Sequence, residues 1–173
     1  MTGHVIISHG LESGPGASKA SALARVAGEL GWTHERPDYR DLDAIGPRGD
    51  VRERIRRLAG RAHLVTRKPL VLAGSSMGAF ISAHVSREVP VGGLFLMAPP
   101  VSLDVEPGLL KAAMVPTRLI HGWEDELIPV LDVVRWAQRR RDPLVLVPDS
   151  HRLAAHVDFC AEEFGRFLQM LSA

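Results

Sequence analysis

At 173 residues, 46% of them hydrophobic and 24% charged, the chain has the length of one domain with a real core (residues 1–173) and a composition that excludes disordered and collagen-like classes. Its formal net charge is +1 with acidic and basic residues interspersed, which argues against nucleic acid and for small-molecule partners. One cysteine, Cys160, permits no internal disulfide or zinc cluster, and no apolar run has the length of a secretory leader or a membrane span. A cytoplasmic protein with no membrane attachment, no metal and no cofactor is expected.

The first apolar run, Val5 to Ser8, reads as a strand and leads into Ser8-His9-Gly10-Leu11 and a loop shaped by Gly14, Pro15 and Gly16. Ala20, Leu23, Ala24, Ala27 and Leu30 then recur at helical spacing, which predicts a helix over Ser18 to Leu30. A weak edge strand follows at His34 to Arg36. Val51, Ile55, Leu58, Ala59 and Ala62 form the apolar stripe of a second helix, with Arg52, Glu53, Arg56 and Arg57 elsewhere on it. The basic group Arg52, Arg54, Arg56 and Arg57 reads as a solvated face, as does Arg139 to Arg141.

A strand at Leu70 to Ala73 runs directly into Gly74-Ser75-Ser76-Met77-Gly78, which opens a helix containing Ile81 and Val85. Next come a strand at Gly93 to Met97 and a connection, Ala98 to Pro116, with room for one short helix. A strand at Arg118 to His121 precedes a helix begun by Pro129 and faced by Val130, Val133, Val134 and Ala137. A strand at Leu144 to Val147 precedes the last helix, faced by Val157, Phe164, Phe167, Leu168 and Leu171, with Cys160 expected in the core. This alternation predicts an α/β fold, a three-layer α/β/α sandwich around a six-stranded, mostly parallel sheet.

The glycines at 74 and 78 have a chemical reason. A serine exposed at a sheet edge needs a turn so sharp that side chains on either side of it would collide. The same turn aims the Met77 amide and the positive end of the helix at a developing oxyanion. A phosphate-cradling turn is the competing use of a glycine-rich strand-to-helix junction, but neither dinucleotide nor P-loop spacing is present.

Serine needs a base, and the base a carboxylate. Asp125 lies just past the strand Arg118 to His121, and His151 just past Leu144 to Val147. In a parallel sheet these loops emerge at the same edge as Ser76. Of the other histidines, His34, His63 and His84 fall in or beside predicted elements, His121 supports the acid loop, and His156 is the rival to His151 but falls inside the last helix.

The order Ser, Asp, His, together with His121-Gly122-Trp123-Glu124-Asp125-Glu126-Leu127-Ile128-Pro129, resembles the α/β-hydrolase superfamily, in particular its small, lidless esterase and thioesterase branch. The resemblance covers the whole chain. It implies Asp125 as the acid, with Glu124 and Glu126 as alternatives. From Ser8-His9-Gly10-Leu11 it implies the Leu11 amide as a second oxyanion donor beside that of Met77. It further implies no lid and an open mouth lined by Leu11, Met77, Met97, Pro99, Trp123, Ile128 and Leu153, with Met97, Trp123 and Ile128 as the substrate pocket. The usual two N-terminal antiparallel strands are not expected. The implied function is hydrolysis of a carboxylic ester or thioester through an acyl-enzyme. The alternative is a non-catalytic ligand-binding or interaction module on the same fold.

Overall fold

In the computed structural model, which describes every residue except Pro47, the elements follow in the order β1 (His4–Ser8), α1 (Ser18–Glu29), β2 (Thr33–Glu35), α2 (Arg40–Asp43), α3 (Val51–Leu64), β3 (Leu70–Ser75), α4 (Met77–Val85), β4 (Gly93–Met97), β5 (Thr117–Gly122), α5 (Val130–Arg140), β6 (Leu144–Val147) and α6 (Val157–Ser172). The six strands form one sheet, ordered β2-β1-β3-β4-β5-β6, and every pairing is parallel.

Strand alternation divides the side chains between two cores. Val5, Ile7, Val71, Ala73, Phe95 and Ile120 face α1 and α6, where Leu23, Ala27, Phe164, Phe167 and Cys160 pack against them. Ile6, Leu70, Leu72, Leu94 and Leu119 face the opposite layer, built from Leu42, Leu58, Phe80, Val133 and Trp136 of α2 to α5. Covering both faces is what makes the central strands read as unbroken apolar runs.

From β1 the chain moves outward to β2, then returns to β3 on the other side of β1. Consequently α1 leaves β1 over one face while α4 leaves β3 over the other, and the two loops diverge at the carboxyl edge of the sheet. A crevice at such a switch point is where α/β sheets place their ligands.

Two expectations need correction. Residues 98–116 form no helix; they hold a single antiparallel bridge between Ser102 and Leu109. Pro99, Pro100 and Pro107, which lack the N–H a helix needs, account for this. The short helix α2 was not expected; its one buried residue, Leu42, is too little for a periodic signal. Among the described residues, no helix is long and apolar enough to cross a membrane.

Candidate active site

Ser76 sits between β3 and α4 with φ 54° and ψ −117°, a backbone conformation that residues with a Cβ rarely adopt. A Cβ placed on Gly74 would lie 2.3 Å from the carbonyl carbon and oxygen of Gly78. One placed on Gly78 would lie 2.0 Å from the Ser8 carbonyl oxygen at the end of β1. The turn is therefore closed by backbone against backbone, and only glycine fits at either place. Its amide is tied down as well, since Ser76 N–H donates to the Met97 carbonyl at 2.9 Å. Met77 is the first residue of α4, so its amide has no acceptor within the helix.

The loops after β5 and β6 bring the other two side chains to Ser76. His151 Nε2 is 2.8 Å from Ser76 Oγ, and His151 Nδ1 is 2.8 Å from Asp125 Oδ2. A carboxylate only accepts, so Nδ1 carries the proton and Nε2 accepts from the serine hydroxyl. Asp125 Oδ1 accepts from the amides of Leu127 (2.9 Å) and Ile128 (2.7 Å). Burial pushes the Asp125 carboxyl up, but the bonds from His151, Ile128 and Leu127 outweigh it and hold the group below its usual value.

Fully buried His121 stands behind Asp125, its Nε2 3.3 Å from Asp125 Oδ2 and 3.0 Å from the Ile128 carbonyl. Burial lowers its pKa, which keeps it neutral as a donor in that turn. The imidazole's carboxylate partner is Asp125 rather than Glu124, while Glu126 accepts from the His151 amide at 3.1 Å. Close approach fixes this region too, since a Cβ on Gly122 would meet the Asp149 carbonyl oxygen at 2.2 Å. His156 caps α6 from a turn of 3-10 helix, Ala154–His156, and its Nδ1 is 2.8 Å from Asp149 Oδ2. It is thus engaged in holding the loop that carries His151. Lys19 of α1 does the same from the other side, donating to the Arg152 carbonyl.

Gly10 packs directly on the serine, with its Cβ position 3.3 Å from the Ser75 carbonyl oxygen and 3.5 Å from Ser76 Cβ. Beneath this loop lies the largest departure from expectation. Arg54 is not on a solvated face but 0% exposed. Its Nη1 donates to the His9 carbonyl (2.8 Å) and its Nη2 to the Gly10 carbonyl (3.1 Å), while Nε and Nη2 grip Asp43 at 2.7 and 2.6 Å. The guanidinium lies over the Tyr39 ring at 4.6 Å. Tyr39 hydrogen bonds through its hydroxyl to Ser8 Oγ at 3.0 Å, and burial pushes that hydroxyl's pKa up to about 12. A sequence signal for Arg54 did exist: it falls three residues after Val51 and four before Leu58, on the apolar stripe itself.

A cavity of about 510 Å³ opens between the loops after β1 and β6, lined by Ser76 and His151. Ile7, Leu11, Ala17, Ala20, Met97 and Val157 form its apolar wall, and Lys19, Arg48 and Arg152 its cationic rim. Of the expected pocket residues, Met97 and Leu11 line it. Trp123 and Ile128 do not: Trp123 is 53% exposed on the outside of its loop, and Ile128 is spent on holding Asp125 and His121. Met77, Pro99 and Leu153 are buried and also lie outside the lining. Among the described residues, no group of three or more His, Cys, Asp or Glu side chains is arranged to hold a metal ion.

Comparison with solved structures places this architecture among known ones. A Xanthomonas campestris pv. campestris protein assigned to the α/β superfamily of hydrolases is 53% identical, with a TM-score of 0.94 over 97% of this chain and 99% of that one. An α/β serine hydrolase homologue from Coxiella burnetii is 25% identical, with a TM-score of 0.74 over 95% and 84% of the two chains. An α/β serine hydrolase without a lid, also from Xanthomonas campestris, shares the fold at 20% identity and a TM-score of 0.73, over 98% and 83%. No protein-family model and no curated protein matches the chain.

Proposed function

Since the chain belongs to the α/β-hydrolase superfamily, we propose that it is a serine hydrolase that cleaves a carboxylic ester or thioester through an acyl-enzyme on Ser76, with residues 1–173 acting as one domain. The observation that carries this reading is the unbroken chain of contacts from Ser76 Oγ to His151 Nε2 and from His151 Nδ1 to Asp125 Oδ2, each 2.8 Å.

In this reading Ser76 Oγ attacks the acyl carbon as its proton passes to His151 Nε2, and Asp125 stabilises the imidazolium that results. The amides of Met77 and Leu11 receive the oxyanion. Collapse of the tetrahedral species expels the alkoxide or thiolate, which takes the proton from His151. Water, deprotonated by His151, then frees the acid and restores the serine. The cavity's size falls within the range for small-molecule sites, and its apolar wall suits a modest acyl group. A cytoplasmic setting belongs to the same proposal: the single cysteine, Cys160, is buried in the core, and burial pushes its thiol up to about 11, so it is an inert packing group.

The test is a panel of p-nitrophenyl esters and acyl thioesters of graded chain length, run on the wild type and Ser76→Ala. Turnover of the best substrate should fall by about 10⁴-fold in the variant, leaving only binding and oxyanion catalysis. A fluorophosphonate should label Ser76 in the wild type. Folded wild-type protein that neither turns over nor labels would point instead to a binding module on this fold.

A further inference from the structure

We propose that Arg54, braced by Asp43, is a positioning residue that aims the Leu11 amide at the oxyanion; the inference rests on the serine hydrolase reading above. In a trans peptide the C=O and the following N–H point in opposite directions within one plane. Holding the Gly10 carbonyl therefore fixes where the Leu11 N–H points. Two donors hold it, Arg54 Nη2 at 3.1 Å and His9 Nδ1 at 2.8 Å. The His9 tautomer is itself fixed, because its Nε2 accepts from the Tyr39 amide at 2.9 Å and so leaves the proton on Nδ1. Arg54 Nη1 holds the preceding carbonyl, that of His9, at 2.8 Å, so one planar group spans two successive peptides.

Direction follows from position. Arg54 lies under the loop and is no part of the cavity lining, whereas Leu11 and Ser76 both face the cavity. With the Gly10 carbonyl drawn toward Arg54, the Leu11 N–H is turned the other way, which in this proposal is toward the cavity that Ser76 also lines. The arginine's own place is set by the paired bonds to Asp43 and by the Tyr39 ring.

A buried ion pair at a stripe position is poor value as packing, since an aliphatic side chain of similar volume there is commonly as stable or more so. What an aliphatic group lacks is a rigid fork of donors. Lysine lacks it too, because a single ammonium cannot span two carbonyls and a carboxylate in one plane.

The experiment compares wild type, Arg54→Lys and Asp43→Asn for kcat and KM on the best ester from the panel. It also follows by ¹³C NMR the titration of the hemiketal that a carbonyl-labelled trifluoromethyl ketone forms with Ser76. A misaimed oxyanion donor acts on the transition state, so Arg54→Lys should lower kcat by about 10- to 100-fold with KM within about 2-fold. Its hemiketal oxyanion should protonate at a pH about one unit higher, a tenfold loss of oxyanion stabilisation. Asp43→Asn should move both readouts the same way by less, and it carries the test if Arg54→Lys does not fold. A folded Arg54→Lys with wild-type kcat, or a fall in kcat without a shifted hemiketal titration, overturns the clamp and leaves the hydrolase reading standing. An inert wild type overturns both.

Discussion

The turn that carries Ser76 and the loop that carries Leu11 pack so closely that a methyl added at Gly10 would touch Ser75 and Ser76, yet different physics holds each in place. Around Ser76 the backbone is confined by steric exclusion: Gly74 against Gly78, Gly78 against Ser8, and a serine forced to φ 54° between them. Around Leu11 the local constraints are fewer, chiefly the bond from His9 Nδ1 to the Gly10 carbonyl and the positive φ of Glu12. That loop is held from below by a network of charged and polar side chains drawn from α2, α3 and the segment between β2 and α2. One proposed oxyanion donor, the Met77 amide, is thus set by shape, and the other, the Leu11 amide, by electrostatics. The two should fail under different insults.

Glycine replacements break this contrast most sharply. In Gly78→Ala the new methyl meets backbone atoms of Ser8 and His9 that cannot rotate away, so α4 must leave β1. The expected cost is about 3 kcal/mol or more, at the top of the range for overpacking, or roughly 6–12 °C in melting temperature for a chain of this size. Activity should be lost with it. Gly10→Ala meets the neighbouring turn only at 3.3 Å and should melt within a few degrees of wild type, while kcat drops about tenfold as the loop is pushed off Ser76. Equal melting temperatures for the two variants would show that steric closure is not what holds the serine turn.

The same division explains what could be read from the sequence. The serine turn was legible because its cause is local: two glycines, a strand before and a helix after, all within one short window. The four central strands β1, β3, β4 and β5 were legible because both faces of the sheet are covered there, which writes short apolar runs into the chain, whereas the exposed edge strand β2 left only a weak trace. The meeting of Asp125 and His151 at Ser76 was legible because parallel strands put their loops at one edge. Arg54 was missed because its role depends on Asp43, eleven residues away, and on the His9 and Gly10 carbonyls, 45 and 44 away. No window contains those partners, and three neighbouring arginines disguised it as one of a surface group. Trp123 was misplaced for a related reason: proximity to Asp125 in sequence does not say which side of a loop a ring leaves from.

Acid offers a second way to separate the two devices. His9 is buried, and burial above all lowers its pKa from 6.5, a direction that Arg54 reinforces against the opposing pull of its Gly10 bond, Asp43 and Asp38. In the window between that lowered value and 6.5 the unfolded chain binds a proton that the folded chain does not, so stability is full above 6.5 and declines as the pH falls below it. One such proton contributes a slope of at most ~1.4 kcal/mol per pH unit. His84 and His121, also lowered by burial, add to the same trend. Melting measured between pH 7.5 and 5.5 should therefore decline in the wild type and decline less in His9→Gln. Protonation would also set an Nε2–H against the Tyr39 N–H, so the oxyanion loop should loosen first. Hydrogen exchange at low pH should rise in residues 9–12 before it rises in residues 74–78, where no titratable side chain takes part in the closure. A uniform rise would mean that the two regions open as one unit.

The smallest effect expected sharpens where the site ends. Trp123 belongs to the loop that supplies Asp125, and its amide donates to the Val147 carbonyl at 2.9 Å, which extends the β5–β6 pairing by one bond. Truncation to alanine keeps that bond and removes only an indole that is 53% exposed. Its stability cost should stay within about 0.5 kcal/mol, as for other surface positions. Leu127, from the same loop, is 66% exposed yet lines the cavity. Trp123→Ala should thus leave kcat/KM for the best ester within about twofold, whereas Leu127→Ala should raise KM about fivefold, the loss of a partly buried apolar contact of ~1 kcal/mol. The reverse pattern would move the acyl channel from the β1 side of Ser76 to the β5 side. In that arrangement the substrate would lie across the acid loop, and the oxyanion loop would cover its far end rather than its reacting carbonyl.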